Sequence, residues 1–260
     1  MTNQMKYPTY PIEAFALAVV LFSSGMKEAM IVGIGLIFGD ILLCVLSEFV
    51  SKQYMQTIRV ITVVITCVTM NLMFSLVGIT PDTKQMLGFA MLGILLMKHH
   101  ETVQEKNTTG VTDYNAVLLA DSCAYGIYVL VAVIREYLAG AVIFGYTLPE
   151  VPVVSASFGK PMFALIFAGI AVALINRILH VTSDKDSALM VCTATILLEA
   201  PFVWNNVPEW GGTIVGMITV AVVYFTLRKK LVFSETEKHI EGTSVELVML
   251  GVIYMIFSLL

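Results

Sequence analysis

The chain has 260 residues, of which 58% are hydrophobic and only 13% are charged. A soluble domain of this size needs more polar surface than so few charged residues supply, so the composition excludes that class. The net charge of -4 gives no electrostatic basis for binding nucleic acid. Because the apolar runs are continuous rather than alternating, they predict an all-α, polytopic membrane protein.

Turn residues and charges divide the chain into nine apolar segments, and a spanning helix needs about 20 residues. The approximate bounds are 11–25, 28–50, 58–80, 85–97, 114–134, 161–179, 187–203, 211–227 and 243–260. The first, fourth and seventh segments are short. A short segment at every third place predicts three-helix units, each opening with a helix that spans or re-enters the membrane, with adjacent units inverted.

The distribution of Lys and Arg sets the expected orientation. If all nine segments cross or reverse direction, eleven of the 15 basic residues fall on the side of the N-terminus. The other four, which fall on the opposite side, are Lys27, Lys84, Arg135 and Lys160. Since cytoplasmic loops carry the excess of basic residues, we expect the N-terminus inside the cell and the C-terminus outside.

Three carboxylates lie inside apolar segments. Asp40 is in the second segment, Asp121 in the fifth, and Glu199 in the seventh with Pro201 behind it. An ionised carboxylate is costly in lipid, so these residues are candidates for a proton or cation path. A hydrogen bond between helices, or a misjudged segment edge, is the alternative explanation. The ion path is favoured for Asp40, and both explanations stay open for the other two.

Two groups of charges stand at segment ends. Arg135 and Glu136 separate the fifth segment from a run of small residues and predict a structural charge pair that positions this turn. The other group, Arg228, Lys229 and Lys230, follows the eighth segment and predicts a cytoplasmic anchor, with contact to anionic lipid as the alternative.

The four cysteines all lie inside apolar runs, and no two of them form a CxxC pair: Cys44, Cys67, Cys123 and Cys192. Free cysteines commonly behave as small buried hydrophobic residues, and that interpretation is favoured here. Their spacing predicts neither disulfides nor a zinc site. We therefore expect no metal site and no catalytic residue in this chain.

Three stretches carry a family resemblance. LLMKHHETVQEKN (95–107) ends a short apolar helix and contains Glu101 before a Lys-Asn pair. VAVIREYLAGAVIFG (131–145) runs from aliphatic residues through Arg-Glu and small residues to Phe-Gly, and PMFALIFAGIAVALIN (161–176) is an apolar helix. In order and spacing these stretches resemble the fourth to sixth segments in membrane subunits of the Rnf/Nqr family.

The resemblance implies two parts. Residues 1–180 resemble a whole six-segment E-type Rnf subunit, the D-type in Nqr. Residues 181–260 resemble the second half of the paired A-type subunit, because RKKLVFSETEKHIEGTS (228–244) is similar to its basic run, short acidic stretch and Gly-Thr turn. The tail is therefore expected to be a three-segment half-repeat.

The family also implies a function. Its members sit in a bacterial cytoplasmic-membrane complex that couples electron transfer from NADH or ferredoxin to Na⁺ or H⁺ movement. By resemblance, this chain is expected to be a non-catalytic membrane subunit of such an ion-translocating complex. Its expected partners are the lipid bilayer and either the other membrane subunits or a second copy of itself.

One departure concerns the cofactor. In the family, cysteines of the first and fourth short helices of two subunits hold a [2Fe–2S] cluster, which requires thiolates. Here Ser23 or Ser24 stands near the first ligand place, Ile94 at the second and Thr195 at the corresponding place of the seventh segment. We therefore expect this chain to hold no iron–sulfur cluster and no other cofactor.

Two other functions fit the sequence. The first is a stand-alone inverted-repeat carrier that uses Asp40, Asp121 and Glu199 to move protons or a cationic solute. The second is a structural or assembly paralogue that moves nothing itself.

Overall fold

The computed structural model describes residues 10–49, 52–106, 114–149, 151–180, 185–199, 202, 208–230 and 242–259. Parts of the sequence predictions lie outside these residues. They are Asn107 and residues 231–241 of the family resemblance, Pro201, and the side chains of Glu101 and Lys230.

Nine α-helices form in the described residues, and each corresponds to one predicted segment. Their bounds are α1 Tyr10–Phe22, α2 Met26–Phe49, α3 Met55–Leu76, α4 Thr83–Lys106, α5 Tyr114–Gly140, α6 Pro161–Leu179, α7 Lys185–Leu198, α8 Glu209–Lys230 and α9 Thr243–Phe257. An antiparallel hairpin, β1 Val142–Ile143 and β2 Tyr146–Thr147, follows α5. A short 3₁₀ turn, Ala156–Gly159, leads into α6.

Three helices, α4, α5 and α8, are clearly longer than the apolar pattern predicts, and α8 continues through Arg228 to Lys230. α4 continues to Lys106 through residues expected in a polar loop, and α5 continues to Gly140, so that Arg135 and Glu136 are helical. Hydropathy marks only the part of a helix that is apolar, whereas Lys, Glu and Gln extend a helix as readily as Leu does. The hairpin after α5 was not predicted.

Five of the described helices are long and apolar enough to cross a membrane: α2, α3, α5, α6 and α8. The side chains of α3 give independent evidence, because its buried side carries Arg59, Thr62 and Thr66. Between Val60 and Leu72, every exposed side chain of this helix is aliphatic. Polar groups inside and aliphatic groups outside would be unfavourable in water and are favourable in lipid.

The short helix α1 lies at the centre of the bundle. Every side chain from Ile12 to Val20 is buried, and the helix contacts α2, α4, α5, α6 and α7. A short helix that is apolar on all sides is stable only when other helices surround it. The short apolar helix α7 contacts both α1 and α4, and Phe22 stacks on Phe89 of α4 with ring centroids 5.2 Å apart.

The most extensive helix contact among the described residues joins α6 to α9. A Cβ atom at Gly169 would lie 2.6 Å from the carbonyl oxygen of Ser244 and 2.5 Å from a methyl group of Val248. Only glycine lets the two backbones approach this closely. The contact attaches the C-terminal helix directly to the first six.

We expect Gly169→Ala to lower the free energy of unfolding by about 1–3 kcal/mol, because the added methyl forces the two helices apart. Gly126→Ala is the matched control, since a Cβ there meets no atom within 4 Å. The thermal midpoint in detergent, measured for both variants, checks the prediction. Equal midpoints for the two variants would contradict it.

Candidate functional site

The structure brings together two of the predicted carboxylates. Asp40 of α2 and Asp121 of α5 are 3% and 2% exposed, and their carboxyl groups are joined by a hydrogen bond. Both residues lie within span-length helices. At 1.5 Å per residue, Asp40 is about 21 Å along α2 from Met26 and about 9 Å from Leu46. The pair therefore lies inside the stretch of α2 that is long and apolar enough to cross a membrane, away from both ends of that stretch.

A hydrogen bond between two carboxyl groups requires that one of them carries a proton. Two ionised carboxylates at this distance repel each other, and each is costly in lipid. One shared proton removes one charge and converts the repulsion into a bond. Chemically, such a pair can hold one proton and one negative charge, which a second proton or a cation can neutralise.

Arg135 is fully enclosed at the other end of α5. Its guanidinium donates to the carbonyl oxygens of Phe158, Gly159 and Lys160 at 2.9, 2.8 and 3.2 Å. It also donates to Ser23 Oγ at 2.7 Å and reaches the Val19 carbonyl oxygen at 3.5 Å. Ser23 itself donates to Val19. One side chain thus joins the C-terminal end of α1 to the turn before α6.

Glu136 binds a different element. Its carboxylate accepts a hydrogen bond from the backbone N–H of Met26, the first residue of α2, at 2.9 Å. Arg135 and Glu136 therefore do not form the ion pair that their adjacency suggests, because neighbours on a helix point in different directions. Arg135 and Glu136 together supply hydrogen-bond partners to the end of α1 and the beginning of α2, and so position these two helices. We call this part of the bundle the Arg135 end.

Glu199 also lies at the Arg135 end, just beyond α7. Its carboxylate is 3.8 Å from the ammonium group of Lys84 on α4 and interacts electrostatically with Arg135. Burial raises the pKa of Glu199, while Lys84 and Arg135 oppose that shift. A cavity of about 210 Å³ opens here, lined by Leu21, Phe22, Asp82, Lys84, Gln85 and Glu199. The structure therefore separates Glu199 from the Asp40–Asp121 pair.

Among the basic residues at the end of α8, Arg228 has an acidic partner. Arg228 Nε is 3.3 Å from Glu246 on α9, and the same carboxylate accepts a 2.6 Å hydrogen bond from the buried hydroxyl of Tyr224. Lys229 is exposed. Arg228 is thus held against α9, at the end of that helix opposite to Tyr254, which donates to the Glu199 carbonyl.

The cysteines are free thiols on four different helices, α2, α3, α5 and α7. Within the described part of the chain, no three His, Cys, Asp or Glu side chains are grouped so as to hold a metal ion. At the places of the family's cluster ligands, Ser23 and Thr195 donate to carbonyls of their own helices, and Ile94 is 44% exposed. That this chain holds no cluster stays a prediction.

Comparisons with protein-family models, with curated proteins and with solved structures found no match. The Rnf/Nqr resemblance therefore rests on the residues alone. Sequence reasoning missed Ser23, Lys84 and Glu246 as members of polar contacts, and it missed the buried hydroxyl of Tyr128. Asp121, Tyr128 and Arg135 recur at intervals of seven residues and therefore lie on one face of α5. This spacing was the signal in the sequence from which Tyr128 could have been found.

We expect Arg135→Lys to lower the free energy of unfolding by about 3 kcal/mol, because an ammonium group cannot reach carbonyls on both sides as the guanidinium does. Arg177→Lys, on an exposed part of α6, is the control and should change it by less than about 0.5 kcal/mol. Thermal unfolding in detergent measures both. A midpoint for Arg135→Lys equal to that of the control would exclude this role.

Proposed function

We propose that this chain is an integral membrane subunit of an Rnf/Nqr-type ion-translocating complex. In this proposal it moves protons or cations through the Asp40–Asp121 pair and holds no iron–sulfur cluster of its own. The hydrogen bond between the two buried carboxyl groups carries the proposal. A purely structural contact is served by two neutral side chains, whereas a pair with one proton can take up and release another charge.

The helix contacts support nine crossings in three-helix units. The end of α1, the beginning of α2 and the end of α5 meet at Arg135 and Glu136. The beginning of α4, the end of α7 and the latter part of α9 meet at Glu199. Such alternation favours a chain that reverses direction at each helix. With the excess of basic residues inside, the N-terminus would be cytoplasmic and the C-terminus outside a bacterial cytoplasmic membrane.

A second candidate is a stand-alone carrier with the same scaffold. The cavity beside the Lys84–Glu199 ion pair favours it, since the ends of the short helices α1 and α7 meet the beginning of α4 there. Inverted-repeat carriers bind solutes between interrupted or short helices. Purification from native membranes separates the two candidates. A stable redox-active partner supports the complex, and a single species that takes up solute alone supports the carrier.

The carboxyl pair is tested by Asp121→Asn in proteoliposomes that contain the protein with its co-purified partners. Asparagine keeps a hydrogen bond to Asp40 but cannot release a proton, so ion movement should fall by at least about a hundredfold. Glu48→Gln, at an exposed position of the same helix as Asp40, is the control and should leave the rate unchanged. Ion movement by Asp121→Asn at the wild-type rate would falsify the proposed role of the pair.

The proposal also predicts that the isolated protein contains no stoichiometric iron. Iron analysis and visible absorption after anaerobic purification check this, first on the protein alone and then with co-expressed neighbouring subunits. A [2Fe–2S] spectrum at one cluster per isolated chain would overturn the prediction. A cluster found only with a partner would place its ligands on that partner.

A further inference from the structure

We propose that a line of polar groups on α4, α2 and α5 is the route by which protons pass between the cavity at the Arg135 end and the Asp40–Asp121 pair. The line consists of Gln85, Glu28, Tyr128 and Asp121. The inference rests on the proposed function and adds to it the direction of access and the residues that provide it.

Tyr128 is the centre of the line. It is 1% exposed, its ring packs against Phe15 with centroids 6.0 Å apart, and its hydroxyl has no hydrogen-bond partner among the described residues. A phenylalanine would fill the same space without burying an unpaired hydroxyl, which is unfavourable. Such a group calls for an explanation, and water is the partner that a buried hydroxyl commonly takes.

The packing of α2 against α5 places Tyr128 between the two ends of the line. A Cβ atom at Gly33 would lie 2.4 Å from the ring of Tyr125 and 3.4 Å from that of Tyr128, so the rings occupy the space that glycine leaves. At 1.5 Å per residue along α2, Gly33 is about 8 Å from Glu28 and about 10 Å from Asp40.

The outer half of the line begins at the cavity. Gln85 lines the cavity, and its side chain is hydrogen-bonded to the carboxylate of Glu28. The charges of Glu28 and Arg135 both act on the Tyr128 hydroxyl. In the proposed route, Gln85 and Glu28 carry protons from the cavity towards Tyr128.

The inner half runs from Tyr128 to the carboxyl pair. Asp121 lies seven residues before Tyr128 on the same face of α5, about 10 Å along the helix axis. Its Oδ2 atom, like the Tyr128 hydroxyl, is buried without a hydrogen-bond partner in the described part of the chain. In the proposed route, a short chain of water molecules joins these two atoms, with each atom as a terminal partner.

The proton balance is simple. A hydronium ion on the cavity side transfers its proton along the line and leaves as water. The Tyr128 hydroxyl accepts a proton on one side and gives up its own on the other, so it is neutral before and after. The carboxyl pair, which holds one proton and one negative charge, takes up the second proton and becomes neutral. Release is the reverse.

The test measures how fast the buried carboxyl proton exchanges with solvent. The purified protein in lipid nanodiscs is transferred to D₂O, and the C=O stretching band of the protonated carboxyl is followed by infrared spectroscopy. Asp121→Asn identifies the band by removing it. We expect Tyr128→Phe and Glu28→Gln each to slow its deuterium shift by roughly tenfold or more. Tyr224→Phe is the matched control, a buried tyrosine on α8 that should exchange at the wild-type rate.

The outcomes are distinguishable. If the band exists and Tyr128→Phe exchanges at the wild-type rate, this route is wrong while the proposed function stands. If the wild-type protein shows no carboxyl band that Asp121→Asn removes, the proton-binding pair itself fails, and the proposed function with it. Thermal midpoints close to wild type show that each variant is folded.

Discussion

The end of a short helix inside a membrane protein needs hydrogen-bond partners, and Arg135 supplies them. Helix α1 stops at Phe22, surrounded by other helices, where unpaired backbone carbonyls would be costly in lipid. The Arg135 guanidinium binds at this end and in the turn before α6, while Glu136 binds the first N–H of α2. Because one helical turn of α5 fixes three elements, the packing of α2 against α5, and hence the Asp40–Asp121 contact, depends on it.

The same constraint separates two kinds of buried charge. Arg135 is saturated, with donors to three carbonyls and a hydroxyl, and such a group holds structure. The proposed function gives the carboxyl pair a proton that it can lose, so this pair would suit exchange. Glu199 stands between these cases, because it is partly exposed at a cavity and paired to a lysine. Burial costs free energy for Arg135, for the carboxyl pair and for Glu199 alike. The hydrogen-bond and charge partners of each group determine its role.

Much of the fold follows from the sequence. Nine apolar segments correspond to nine helices in the described residues, and α6 begins and ends where predicted. Asp40 and Asp121 stand out because carboxylates in apolar runs are rare, but their pairing depends on how α2 packs on α5, which one sequence does not specify. The partners of Arg135 are mostly backbone carbonyls, which carry no residue signature. The ends of α4 and α5 were misjudged because hydropathy identifies the apolar part of a helix, whereas polar residues can continue the same helix.

The reach of Arg135 along the chain also bears on how the protein is made. Its partners lie 112 and 116 residues before it, at Ser23 and Val19, and 23 to 25 residues after it, at Phe158, Gly159 and Lys160. The first helix therefore cannot reach its final environment until synthesis has passed Lys160. Until then α1, too short to span comfortably, must wait in or at the bilayer. The packing of α1 into the bundle is thus a late step in biogenesis, although α1 precedes the other described helices in the chain.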